Sequence, residues 1–208
     1  MVRREYTSFD AAGLLSLFLI ERQRNDGGRL ARMTAPLIDR LSATLRDVPD
    51  FPAPGIVFKD ITPLLADPVL MGDALTAMLV PARRLGVTHV VGVESRGFLF
   101  GMPMALQLGL PFAPARKPGK LPWHTERESY ELEYRSDVLE MHTDAVGAGA
   151  RVLVVDDVLA TGGTAAATCR LVERLGGTVV GVSVLVELGF LQGRTRLPDR
   201  AVHAVVTF

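Results

Sequence analysis

Apolar and polar positions along this chain follow two periods, one typical of buried strands and the other of helices. Four short, nearly continuous apolar runs predict strands buried on both faces of a sheet, at residues 87–93, 151–155, 179–188 and 201–206. Segments with helical spacing lie among them, at residues 68–85, 97–108 and 164–175. Strands that alternate with helices predict an α/β fold with a central, mainly parallel sheet flanked by helices.

Proline and glycine mark the breaks in this pattern. Asp67 is a candidate N-cap before Pro68, and Pro81 is expected to bend or divide the helix that follows. Residues 117–135 are polar and rich in turn formers, so they predict a long loop that ends in a strand. Short strands are predicted on either side of this loop, at residues 112–115 and 138–142.

The first 32 residues differ from the rest of the chain. An apolar run at 11–20 precedes a polar, arginine-rich stretch at 21–32. The run is shorter than the ~20 apolar residues that a bilayer span needs. It resembles the apolar part of a signal peptide, but acidic residues precede it and no small-x-small cleavage site follows. We therefore expect residues 1–32 to be an N-terminal extension that is disordered or not native.

The regular part of the chain begins after Met33. Leu37, Leu41 and Leu45 recur at a spacing of four residues, which predicts one helical stripe that ends before Pro49. We therefore expect a single domain over residues 33–208.

Composition narrows the class of protein. The 208 residues, 48% hydrophobic and 22% charged, suffice for one domain with a packed core and exclude disorder as the main state. The 23 basic residues balance the 23 acidic ones, so net charge indicates neither a nucleic-acid nor a membrane partner. A single cysteine, Cys169, excludes an internal disulfide framework and fits a reducing compartment such as the cytoplasm.

The strongest chemical signal is the segment VLVVDDVLATGGT at residues 152–164. It reads as an apolar strand, two adjacent carboxylates, a turn of small residues and the start of a helix. Ligands of open α/β sheets bind at the carboxyl ends of strands, and a helix N-terminus favours phosphate. The carboxylates would repel a bare phosphate, so the pattern favours a ligand that also offers hydroxyls or a metal. It matches neither a Walker loop nor a dinucleotide fingerprint.

Four further residues or segments have both a chemical and a plain structural interpretation. Arg96 could bind phosphate through its guanidinium or form a surface salt bridge. RKPGK at 116–120 could bind an anion or be a solvated charge run. SYELEY at 129–134 places Glu131 and Glu133 on one face of a strand, as an ordinary edge strand also would. Phe58 could stack on a base, although a lone Phe is more often part of a core.

Together these segments resemble a known family. The 152–164 segment is similar to the phosphoribosyl pyrophosphate motif of type I phosphoribosyltransferases. The chain more narrowly resembles adenine phosphoribosyltransferases from about Leu37 to about Gly193, through five segments in order: DFPAPGIVFKDITPLL, GVESRGFLFG, RKPGKLP, SYELEY and VLVVDDVLATGGT. The order and spacing of all five make the match specific. It leaves residues 1–32 outside.

The resemblance implies the type I phosphoribosyltransferase fold with a small hood, and transfer of phosphoribose to adenine. It implies Mg²⁺ as cofactor, held mainly by substrate and water near Asp156 and Asp157 rather than by direct protein ligands. It also implies a homodimer in the cytoplasm with no nucleic-acid or membrane partner, a cis peptide at Glu94–Ser95, and closure of the 117–135 loop as a lid. The alternatives are another purine as acceptor, or a non-catalytic sensor of phosphoribosyl pyrophosphate.

The resemblance also assigns site residues. Glu133 is implied as the catalytic acid/base, and Arg96 as the residue that stabilises charge on the leaving group. The implied substrate-binding residues are Val57, Phe58, Lys59, Arg116, Lys117, Lys120, Tyr134, Asp156, Asp157, Ala160, Thr161, Gly162, Gly163, Thr164 and Leu185.

Overall fold

The computed structural model describes residues 35–51, 53–131 and 136–208. The chain divides into one unit that ends at Arg40 and a second from Leu41 to Phe208. Apart from the start of the first helix, at Leu37, every element described below lies in the second unit. Helix α1 (Leu37–Thr44) confirms the predicted helix, and its Leu41 is buried, as is Leu45 just beyond it. The predicted end just before Pro49 was wrong, because residues 46–49 pair with residues 57–60 as a strand instead. The predicted domain boundary after residue 32 lies outside the described residues.

A five-stranded parallel sheet forms the centre of the second unit. Its strands are β3 (His89–Val93), β4 (Phe112–Ala115), β7 (Arg151–Leu159), β8 (Thr178–Glu187) and β9 (Val202–Thr207). They lie in the order β4-β3-β7-β8-β9. The predicted α/β class with a parallel sheet is thereby confirmed. Strand β7 extends beyond the predicted end at Val155 because its last residues still pair with β8, Val158 with Val186 and Leu159 with Glu187.

Two helices connect neighbouring strands of this sheet. Helix α5 (Gly97–Leu108) joins β3 to β4, and helix α6 (Gly163–Arg174) joins β7 to β8. The two connections run in opposite directions along the sheet, so right-handed crossovers place the helices on opposite faces. The order of the strands reverses between β3 and β7, which is where ligands bind in sheets of this type.

Shorter elements complete the described part of the chain. Asp67 caps α3 (Pro68–Met78) by accepting hydrogen bonds from the N–H groups of Val69 and Leu70, and Pro81 separates it from α4 (Ala82–Leu85), as predicted. Helix α2 (Thr62–Leu65) and two 3-10 turns, Gly189–Leu191 and Gly193–Arg196, were not predicted.

Two antiparallel hairpins accompany the central sheet. Strands β1 (Arg46–Pro49) and β2 (Val57–Asp60) form one, which we call the hood hairpin. Strands β5 (Thr125–Glu131) and β6 (Ser136–His142) form the other. The loop predicted over residues 117–135 does end in a strand, as expected, but the strand begins at Thr125, so the prediction of a loop was wrong for residues 125–128. Ion pairs from Arg170 and Arg174 of α6 to Glu126 and Glu128 stabilise β5 despite its polar sequence.

Candidate active site

A cavity of about 480 Å³ opens at the carboxyl ends of β3 and β7. Its lining comes from five places: the hood hairpin with the preceding Ile56, the turn after β3, Lys117 after β4, the segment from the end of β7 into α6, and the β5–β6 hairpin. Leu188 and Leu191, which follow β8, add apolar surface. The cavity thus lies at the reversal of strand order and combines a charged half with an apolar half.

The turn between β7 and α6 forms one wall of the cavity. Gly162 precedes the helix with φ +81°, a left-handed conformation that favours glycine. A Cβ at Gly162 would overlap the carbonyl oxygen of Gly193, so the close packing of this turn also requires glycine. The first backbone N–H groups of a helix lack intrahelical partners. Residues 160–164 therefore present N–H groups and two threonine hydroxyls where a phosphate could bind.

The two adjacent carboxylates lie beside this turn, within the last part of β7. Arg96 Nε lies 3.0 Å from Oδ2 of Asp157, whose residue is only 2% exposed. The geometry of this ion pair does not make a hydrogen bond, so Oδ2 is buried without a hydrogen-bond donor among the described residues. An unpartnered carboxylate oxygen in a residue that lines the cavity marks Asp157 as a candidate to bind a ligand hydroxyl.

The acidic pair is electrostatically costly. Burial raises the pKa of Asp156 well above its ordinary value, and the neighbouring charge of Asp157 raises it further. Burial also raises the pKa of Asp157, against the opposing effect of Arg96. Titratable groups perturbed in this way inside a cleft mark candidate functional sites.

Glu94, which directly follows β3, connects the turn after β3 to the 116–120 turn. Its Oε2 accepts hydrogen bonds from the backbone N–H of Lys117 at 2.8 Å and from Nε of Arg116 at 3.1 Å. Burial raises the pKa of Glu94, but these hydrogen bonds outweigh burial and hold the pKa below its ordinary value. The peptide between Glu94 and Ser95 is cis, as expected. Glu94 therefore fixes the 116–120 turn relative to the turn that carries Arg96.

The hood hairpin covers the apolar half of the cavity. Val57, Phe58 and Lys59 all line it. The ring of Phe58 contacts Phe51 edge to face, with centroids 5.2 Å apart, and the Arg96 guanidinium lies 4.7 Å from the Phe58 centroid. Arg96 thus touches both the acidic pair and the aromatic wall.

The β5–β6 hairpin contributes Tyr130 and Asp137 to the charged half. The Thr164 hydroxyl donates to the Tyr130 hydroxyl oxygen at 3.3 Å, and Lys117 Nζ lies 3.5 Å from Asp137 Oδ2. Burial raises the pKa of Tyr130. This phenol therefore stays neutral at physiological pH and can serve as a hydrogen-bond donor.

The cavity gathers twelve of the residues that the sequence predicted. They are Val57, Phe58, Lys59, Arg96, Lys117, Asp156, Asp157, Ala160, Thr161, Gly162, Gly163 and Thr164. Glu133 and Tyr134 lie outside the described residues, and their predicted roles stay predictions.

Three predicted residues, Leu185, Arg116 and Lys120, are not among the residues that line the cavity. Leu185 is fully buried within β8, where its side chain belongs to the core rather than to the cavity. Arg116 pairs with Glu94, and its Nη1 donates to the carbonyl oxygen of Lys120. The 116–120 turn therefore directs Lys117 toward the cavity and uses Arg116 to hold itself together.

Sequence reasoning missed several lining residues, among them Glu94, Tyr130, Asp137 and Leu188. Glu94 stands two positions before Arg96, so its place in the turn after a buried strand could have indicated it. Tyr130 lies within the SYELEY segment, whose alternating polar and aromatic residues are equally typical of an edge strand. Asp137 and Leu188 carry no local signal, since only the pairing of β5 with β6 and the path of the chain after β8 bring them here.

Comparison with known proteins identifies the class. A family model of the phosphoribosyl transferase domain matches residues 81–207, which include β3, β7 and the turns that follow these two strands. Fold and site thus define a phosphoribosyltransferase. The chain is 62% identical over 172 residues to the adenine phosphoribosyltransferase of Myxococcus xanthus, across 83% of this chain and 94% of that one. The chain belongs to the adenine phosphoribosyltransferase family.

Solved structures agree with this assignment. The crystal structure of adenine phosphoribosyltransferase from Rhodothermus marinus superposes with a TM-score of 0.79 at 54% identity, over 83% of this chain and 98% of that one. The Saccharomyces cerevisiae enzyme, crystallised with adenine and an imino-altritol bisphosphate, gives a TM-score of 0.76 at 41% identity, over 81% of this chain and 98% of that one.

Proposed function

We propose that this enzyme transfers the 5-phosphoribosyl group from phosphoribosyl pyrophosphate to adenine, producing AMP and pyrophosphate in purine salvage. One observation carries the proposal: a single cavity joins a helix N-terminal turn, an acidic pair with Arg96, and an aromatic wall from the hood hairpin. These parts match a 5′-phosphate, ribose hydroxyls with pyrophosphate, and a purine.

The residues of this chain act mainly by stabilising the charges that develop on the ribose and on pyrophosphate during transfer. Backbone N–H groups of residues 160–164 hold the 5′-phosphate, and Asp156 and Asp157 hold the ribose hydroxyls. As the anomeric C–O bond lengthens, positive charge develops on the ribose and negative charge on the departing pyrophosphate. The acidic pair stabilises the former, and Arg96 with Lys117 stabilises the latter. Lys120, on the same turn as Lys117, is proposed to help bind pyrophosphate.

Adenine is proposed to stack on Phe58 while backbone groups of Val57 to Lys59 read its hydrogen-bonding edge. Glu133 is proposed to act as the acid/base that transfers the proton of the purine ring, because of its position in SYELEY. Tyr134 is proposed as its neighbour at the substrate.

The donor set fits a magnesium ion held mainly by substrate and water. Mg²⁺ typically takes one or two protein carboxylates together with substrate phosphates. Asp156 and Asp157 supply adjacent carboxylates, and the described residues contain no cluster of three His, Cys, Asp or Glu side chains able to cage a metal. When bound, Mg²⁺ would offset the charge that grows on pyrophosphate.

We also propose that the enzyme acts as a homodimer in the cytoplasm. Leu99, Met102 and Leu106 are exposed along α5, and such an apolar face favours association. The single cysteine fits a reducing compartment. Among the described residues, no helix is long and apolar enough to cross a membrane.

The decisive experiment measures product formation from adenine, hypoxanthine and guanine at saturating phosphoribosyl pyrophosphate, with and without Mg²⁺. A site that pairs with the amine and ring nitrogen of adenine should reject hypoxanthine by about 10⁴-fold, because the mismatched groups stay unpaired. Glu133→Gln should lower kcat much more than it raises the KM for adenine. Equal rates with hypoxanthine would contradict the adenine assignment, and binding without turnover would favour the sensor.

A further inference from the structure

The side chain of Lys59 connects the hood hairpin to the central sheet. Its Nζ lies 2.5 Å from Oδ1 of Asp47, the residue directly opposite on β1. The same ammonium lies 3.7 Å from the centroid of the Phe208 ring, just beyond β9. The Lys59 side chain is 14% exposed and that of Asp47 is 57% exposed, so the ion pair lies at the surface while the contact with Phe208 is partly desolvated. A cation over an aromatic face gains most when it is desolvated.

Phe208 is itself fixed in place. Its N–H donates to the carbonyl oxygen of Glu187 at 2.9 Å, and its own carbonyl oxygen accepts from the N–H of Gly189 at 2.9 Å. These bonds attach Phe208 to the end of β8 and to the segment whose Leu188 and Leu191 line the cavity. These bonds hold the backbone of Phe208 in place beside the lysine.

We propose that Asp47, Lys59 and Phe208 form a latch that sets the position of the hood hairpin over the base half of the cavity. Lys59 and Phe208 are then positioning residues for adenine, with Phe208 acting wholly through the latch. This inference rests on the proposed function in placing adenine under Phe58.

The latch is expected to affect the binding of adenine but not that of phosphoribosyl pyrophosphate. Val57, Phe58 and Lys59 are consecutive residues of β2, so a change in how the Lys59 side chain is held shifts the groups that contact the base. The phosphate and ribose groups bind at residues 156–164, which belong to β7 and α6. Loosening the latch should therefore weaken adenine binding while phosphoribosyl pyrophosphate binding stays the same.

The test compares four variants with a matched control. Lys59→Met removes the charge but keeps the apolar stem, Asp47→Asn removes the ion pair alone, and Phe208→Leu removes the ring alone. Lys59→Arg retains both contacts and serves as the rescue. The control is Arg46→Met. It removes the ion pair between Arg46 Nη2 and Asp60 Oδ2, 2.9 Å apart on the same hairpin, and leaves the contact with Phe208 unchanged.

We expect Lys59→Met and Phe208→Leu to raise the KM for adenine about 3- to 20-fold, the range that the loss of a partly desolvated cation–π contact implies. The KM for phosphoribosyl pyrophosphate should change less than about twofold. Lys59→Arg should restore the wild-type value, and the double variant Lys59→Met/Phe208→Leu should lose less than the product of the two single losses. An equal rise in both KM values, or an equal effect of Arg46→Met, would overturn the latch.

Hydrogen exchange tests the latch without turnover. Backbone amides of β1 and β2 should exchange faster in Phe208→Leu than in wild type, while amides of β7 keep their protection. If wild type fails to convert adenine but this exchange pattern appears, the proposed function fails and the latch stands. If adenine is converted and neither KM nor exchange responds to Phe208→Leu, the latch is refuted and the function stands.

Discussion

Arg96 is the residue on which the charged and aromatic halves of the cavity converge. Its Nε lies 3.0 Å from the buried Asp157 carboxylate, and its guanidinium lies over the Phe58 ring. A ligand that brings a phosphate or pyrophosphate to this guanidinium therefore competes with an internal anion. Such competition makes affinity at this position sensitive to small changes of geometry.

We predict that Arg96→Ala lowers kcat/KM about 10- to 100-fold, since a hydrogen bond to a charged group contributes roughly 1.5–3 kcal/mol. The melting temperature should fall too, because the buried Asp157 carboxylate loses its cation. Arg96→Lys should keep more of the stability than of the activity, as an ammonium cannot bind an anion in bidentate fashion. Far-UV circular dichroism should match wild type, and a variant with wild-type turnover would exclude Arg96 from the mechanism.

Asp156 shows a conflict between function and stability at the level of one residue. Its pKa in the folded protein is raised above the ordinary 3.8, so the folded state binds the proton more tightly than the unfolded state. The contribution of Asp156 to stability is therefore present below pH 3.8 and is lost as the pH rises through the raised folded value. Ionisation of Asp156 beside Asp157, as the pH rises through that value, therefore destabilises the fold.

Asp156→Asn should consequently melt about 2–4 °C higher than wild type near pH 8, equivalent to roughly 1 kcal/mol, while kcat/KM falls about 10- to 100-fold. In wild type the N–H of Asp157 donates to Oδ1 of Asp156 at 2.9 Å. The asparagine Oδ1 can accept the same hydrogen bond, so the local backbone is preserved. Thermal melts between pH 4 and pH 8 measure the effect. A stability gain that is constant with pH, or absent at pH 8, would contradict this electrostatic account.

At the scale of elements, the turn before α6 is the part least tolerant of change. Gly162 has a left-handed φ of +81° and is packed against the Gly193 carbonyl oxygen. Gly162→Ala should cost more than the ~1–2 kcal/mol of left-handed strain and should raise the KM for phosphoribosyl pyrophosphate strongly. Gly109→Ala is the matched control, because Gly109 has φ +64° but open space around it. Equal losses in the two variants, by urea unfolding, would show that the overlap with Gly193 has no effect.

Elements with a strong apolar pattern could be predicted from sequence, whereas those that depend on distant partners could not. The buried strands β3 and β8 lie within a few residues of the predicted bounds. By contrast, Asp156 and Asp157 disfavour a strand locally, yet β7 continues through them because β8 offers hydrogen-bonding partners. Strand β5 carries mostly polar residues and forms because β6 pairs along its whole length and α6 supplies arginines.

The candidate site divides in the same way. Residues 156–164, Arg96 and Phe58 belong to short contiguous motifs, so the sequence could indicate them before their arrangement was known. Asp137 and the leucines after β8 reach the cavity only through tertiary structure. The functions of Lys59 and Arg116 also depend on partners far along the chain, Phe208 and Glu94, which no local pattern indicates.

At the scale of the whole molecule, the site depends on parts of the chain that are far apart in sequence. The described residues that line the cavity run from Ile56 to Leu191. The family model matches residues 81–207, and the relative from Myxococcus xanthus aligns with 83% of this chain. None of the five sequence motifs includes a residue from 1–32.

We therefore predict that a truncated chain beginning at Met33 folds and retains full activity. Helix α1 starts at Leu37, so the truncation keeps every described helix and strand. The kcat/KM with adenine and the melting temperature should both match those of the full-length protein. A second truncation beginning at Leu45 is the control, because it removes Leu41, which is fully buried, and should melt several degrees lower. A comparable loss in the Met33 chain would show that residues 1–32 pack on the domain and contribute to its stability.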